Sequence, residues 1–94
     1  MVVLTLDILV SKLQEILNKQ ASREDVDRWA YLMIQKAEQG LLLFEPKDSK
    51  ELIWDTVMFL YGIDIQSEPS VYLTSDDEIV EREKMLLIHL NKHV

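Results

Sequence analysis

The 94-residue chain has no cysteine, which excludes a disulfide framework, a thiolate zinc site and a cysteine nucleophile together. It has only two glycines and two prolines, so long irregular loops and strand-rich designs built on tight turns are disfavoured, and helices are favoured. No apolar run approaches the roughly 20 residues of a membrane span. The first ten residues show neither a basic leader nor a small-residue cleavage site. A cytoplasmic protein that engages no membrane is the expectation. Glycine-rich phosphate loops, serine-centred elbows and clustered His/Asp/Ser sets are also missing, so the chain carries no enzyme signature.

Apolar residues fill 48% of positions, enough for a packed core in a single domain over residues 1–94, with little stability to spare at this length. The net charge is −7 and it is unevenly placed. Residues 1–21 are neutral, 22–39 carry −1, 40–62 carry −2 and 63–94 carry −4. The ten Lys and Arg are scattered among seventeen acids, which disfavours nucleic acid as a partner, because phosphate affinity comes from clustered bases. A basic protein partner suits the acidic second half.

Four helices are predicted. The first follows Thr5, where Leu6, Leu9, Val10, Leu13, Ile16 and Leu17 recur on one face, and ends near Lys19 or Gln20. The second is capped by Ser22 with Asp25 three residues on, and stops at Gly40, a residue suited to the left-handed end of a helix. A third opens at Asp48, with Glu51 completing a box of capping type, and runs to Gly62. The last starts at Thr74 or Ser75 and reaches about Asn91. The expected fold is a compact all-α four-helix domain that admits a minimal two-stranded element pairing 41–44 with 71–73. Residues 52–63 read LIWDTVMFLYGI, apolar nearly all the way round a helix, which makes the third helix the expected centre.

Several residues stand out against that scaffold. Asp55 is the one charge in the 52–63 stretch; without a second convergent group it is expected to face water or an arginine rather than to act as a base. Glu83 interrupts the apolar face of the last helix and invites an ion pair with Arg23 or Arg28. His89 and His93 have the spacing of a two-histidine metal pair but no third ligand is marked, and they equally suit the negative end of a helix. No metal or other cofactor is therefore expected. Trp29 and Trp54 fall on or near core faces, whereas Tyr31 projects away from the Val26/Ala30/Met33 face, with Leu32 on its other flank. The acids Asp76, Asp77, Glu78 and Glu81 favour a helix start and lack the central glycine of a calcium loop.

The run Ser22-Arg23-Glu24-Asp25-Val26-Asp27-Arg28-Trp29-Ala30, then Leu52-Ile53-Trp54-Asp55, Tyr61-Gly62-Ile63-Asp64 and Tyr72-Leu73 with Asp76-Asp77, resembles a pattern in small acidic helical bacterial proteins that form an uncharacterised family. Some similar proteins are thought to stand beside bacterial toxin genes as immunity proteins. The resemblance implies binding and blocking of a partner rather than catalysis. Such proteins often carry an aromatic in the last helix, and this chain has none there. The expectation is a non-enzymatic protein-binding module, an immunity-type inhibitor of a basic protein, with Tyr31, Asp76, Asp77, Glu78 and Glu81 as contact residues. The alternatives are a homodimeric adaptor using Tyr31, Leu32 or part of 41–44, and, last, an acid-base or metal enzyme.

Overall fold

A computed structural model describes residues 1–92. The chain runs β1 (Val2–Thr5), α1 (Leu6–Leu17), α2 (Arg23–Glu38), β2 (Leu42–Glu45), a 3₁₀ turn (Lys47–Ser49), α3 (Lys50–Leu60), β3 (Gln66–Glu68), β4 (Val71–Tyr72) and α4 (Asp76–Lys92). Four helices thus carry the fold, with two small sheets beside them.

Local chemistry sets most helix ends. The Thr5 hydroxyl accepts from the Ile8 amide at 3.2 Å. Ser22 and Asp25 close a reciprocal box, as do Ser75 and Glu78, so each pair satisfies two amides that the first helical turn leaves without partners. At the end of α2 the Leu41 and Gly40 amides return to the carbonyls of Lys36 and Ala37, with Gly40 at φ +71°. The end of α1 repeats this geometry through Gln20 and Lys19, and there Lys19 holds φ +61° with a side chain attached. α3 starts differently from expectation. Pro46 is extended, the next residues close a 3₁₀ turn through the Ser49 amide and Pro46 carbonyl, and the helix proper begins only at Lys50, without a capping side-chain bond from Ser49.

The expected pairing of 41–44 with 71–73 does not form. β2 lies parallel to β1, with Val2 opposite Leu42 and Leu4 opposite Phe44, while β4 pairs antiparallel with β3. A parallel pair needs a long crossover, which the α1–α2 hairpin supplies; Val71–Tyr72 instead takes the partner nearest in sequence, where closing the loop costs least entropy.

The core is built from Leu4, five residues of α1 (Leu6, Leu9, Val10, Leu13, Ile16), Val26, Ala30 and Met33 of α2, Ile53, Val57 and Leu60 of α3, Ile63, and Ile79 and Leu86 of α4. α1, which packs on all three other helices, is the centre in place of α3. α3 buries Ile53, Thr56, Val57 and Leu60 against its neighbours, while its other flank leaves Met58 45% exposed and Asp55 and Tyr61 at the surface. A chain of this length has too few elements to enclose a second helix. Trp29 and Trp54 are half-buried against the core. Among the described residues no helix is long and apolar enough to cross a membrane.

Candidate functional site

Arg23, the first residue of α2, is only 7% exposed and organises the junction between α2, the end of α3 and the start of α4. Its guanidinium donates to the Ile63 carbonyl at 3.1 Å, the Thr74 carbonyl at 2.7 Å and Asp76 Oδ1 at 2.7 Å. The Tyr72 ring lies 4.1 Å below it. A planar fork with several donors meets this set of acceptors as an ammonium could not. One turn further on, Asp27 Oδ1 accepts from the Gly62 amide at 2.6 Å, tying α2 to the residue that ends the α3 segment.

Asp76 is therefore held by Arg23 through one carboxylate oxygen, while its side chain stays 66% exposed. The other acids stand around an open groove of about 570 Å³ whose apolar surface includes Phe59, Met85 and Ile88. Glu78 is engaged in the Ser75 box, and Glu81 reaches Lys84 at 3.5 Å. Asp77 makes no ion pair among the described residues. Arg82, also in the groove, places its guanidinium 4.9 Å over the Phe59 ring. The structure thus gathers Asp77, Glu78 and Glu81 on one groove. Tyr31 belongs elsewhere: it stacks on Tyr61 with ring centres 6.1 Å apart, and both rings are about half exposed.

The ion pair expected for Glu83 does not form. Arg23 faces the start of α4, two turns before Glu83, and is taken by Asp76, while Arg28 lies on the surface within 4.0 Å of Asp25. Glu83 is half-buried, which leaves water to solvate its carboxylate. Asp55 is exposed to solvent and makes no ion pair among the described residues. Among the described residues no group of three His, Cys, Asp or Glu is placed to hold a metal; His89 sits in the last turn of α4, and His93 lies outside the described residues.

From the sequence Arg23 stands out only as a candidate partner for Glu83. Its position directly after a capping serine is visible in the sequence, but two of its three hydrogen-bond partners are backbone carbonyls, which no side-chain pattern announces.

No family model matches the chain, and no solved structure matches it. Comparison with curated proteins finds a similarity to the uncharacterised protein YxzC of Bacillus subtilis (strain 168), 29% identical over 70 residues that cover 74% of this chain and 52% of that protein. The chain spans about half the length of this relative. What the likeness establishes is that the chain is similar to an uncharacterised bacterial protein.

Proposed function

We propose that the chain is a non-enzymatic, cytoplasmic protein-binding module of the immunity type, which blocks a basic partner protein through the start of α4. The observation that carries this reading is the groove in which Asp77, Glu78 and Glu81 stand around Phe59, Met85 and Ile88. An apolar floor with a charged rim is the usual anatomy of a protein interface. Arg82 and Lys84 also line the groove, but acids outnumber bases seven to three in residues 63–94, so the surrounding surface is acidic on balance. Complementary charge of this kind acts mainly on the rate of encounter.

The test is binding to the product of a neighbouring toxin-like gene, measured at several salt concentrations. The association rate should fall about tenfold between low and high salt, and the pair Asp77→Lys and Glu78→Lys should abolish most of that dependence. An association rate indifferent to both removes the proposal.

Self-association is the second reading, supported by the exposed Tyr31/Tyr61 stack with Leu32 and Met58 also at the surface. A monomer in light scattering at high concentration rules it out.

A further inference from the structure

The two-stranded parallel sheet leaves one edge of β2 open, and the register identifies which groups face outward. The Val2 amide donates to the Leu41 carbonyl at 2.8 Å, and Val2 stands opposite Leu42. In a parallel ladder this directs the backbone of Leu41, Leu43 and Glu45 toward β1 and the amides and carbonyls of Leu42 and Phe44 away from it. Among the described residues no strand lies on that side, and no backbone–backbone hydrogen bond reaches those outward groups. Parallel pairs are ordinarily found inside larger, covered sheets, and an unpaired edge is a template for one more strand.

The surroundings of this edge have their own chemistry. Two open grooves of about 290 Å³ each share Leu42, Phe44 and Lys50; one extends to Ala37 and Trp54, the other to Leu43 and Lys47. Trp54 meets the Phe44 ring edge-on at 6.1 Å, forming a firm aromatic wall, and Leu43 is 48% exposed on the outer face. Among the described residues the charged ones lining these grooves are Lys47 and Lys50, in a chain of net charge −7, and the Lys50 ammonium lies 5.6 Å from the Phe44 ring centre.

From the outward backbone groups, the apolar walls and the two lysines, we infer that β2 accepts an extended acidic segment of a partner protein as an added strand. The Leu42 and Phe44 backbones supply the ladder bonds. Alternate side chains of the segment enter the Trp54/Phe44 groove or lie over Leu43, and its carboxylates meet Lys47 and Lys50. A second copy of the chain is the poorer occupant, because it brings the same lysines against these and sets like charge against like charge. This surface is separate from the α4 groove and opposite to it in sign, so either can fail without the other.

The probe is a blocked peptide alternating valine with glutamate, titrated into isotope-labelled protein and followed by amide shifts and hydrogen exchange. The Leu42 and Phe44 amides should exchange rapidly in the free protein and slow about tenfold or more with peptide, while a valine/lysine peptide has no effect. Lys47→Glu with Lys50→Glu should weaken binding of the glutamate peptide about tenfold or more with the fold intact by circular dichroism. Three results overturn the inference. The first is no response at about 1 mM peptide. The second is equal binding of the lysine peptide. The third is protection of these amides without peptide together with a doubling of mass on concentration, which gives the edge to a second copy.

Discussion

The Arg23 junction and the free edge of β2 treat basic side chains in opposite ways. At the junction a guanidinium is removed from water and held by two carbonyls, a carboxylate and a ring. At the edge, Lys47 and Lys50 remain exposed beside backbone groups that pair with no strand among the described residues. The same formal charge is structural in one place and available in the other. What separates them is whether the fold itself supplies acceptors.

Arg23→Ala attacks the junction most directly. It leaves the Ile63 and Thr74 carbonyls without their donor and should cost about 3 kcal/mol, read as a lower urea midpoint at constant slope. Asp76→Asn tests how far that cost resides in the ion pair. Because Asp76 is 66% exposed and solvent screens it, the loss should be about 1 kcal/mol or less. If the two variants lose equally, the carboxylate and not the carbonyls holds Arg23.

Gly62→Ala strains the same corner from the α3 side. Gly62 sits at φ +86°, and an added Cβ comes within 3.1 Å of Ile65 Cδ1, so a loss of about 1.5 kcal/mol is expected by thermal or chemical denaturation. Lys19→Gly should act in the other direction. It relieves the left-handed backbone at the end of α1 and should stabilise by about 0.5–1 kcal/mol. At the strand edge the smallest effect is expected: Lys47→Glu should leave stability within about 0.5 kcal/mol of the parent. A large loss there would make the lysine structural and erase the contrast.

How much of this could be read from the chain depends on the distance over which each feature is decided. Thr5, Ser22 and Gly40 announce helix ends because a cap bonds to groups three or so residues away, and all three occupy those roles in the structure. Strand partners are a choice among distant segments, so local pattern does not mark Val2–Thr5 as a strand and points 41–44 to 71–73 instead of to β1. The 52–63 stretch misled for a related reason. Its composition resembles that of a surrounded helix, yet Met58 and Tyr61 are at the surface, where the neighbour of Tyr61 is another half-exposed ring, Tyr31. The acids of α4 were legible as a group. That Asp76 belongs to Arg23 was not, since the pairing depends on how α2 and α4 meet.

The bonds from Arg23 to Ile63 and Thr74 also have an engineering consequence. One side chain grips the chain where it leaves the core and again where it returns, and the Leu73 amide bonds the Ile65 carbonyl just inside that grip. The β3–β4 hairpin, solvent-exposed along most of its length, is thereby fenced off from the packed interior. Foreign sequence spliced between Pro69 and Ser70 adds loop but disturbs no core contact, and each doubling of such a loop costs only about 0.6 kcal/mol. The molecule carries a ready insertion point for a tag or a reporter, latched by a single arginine.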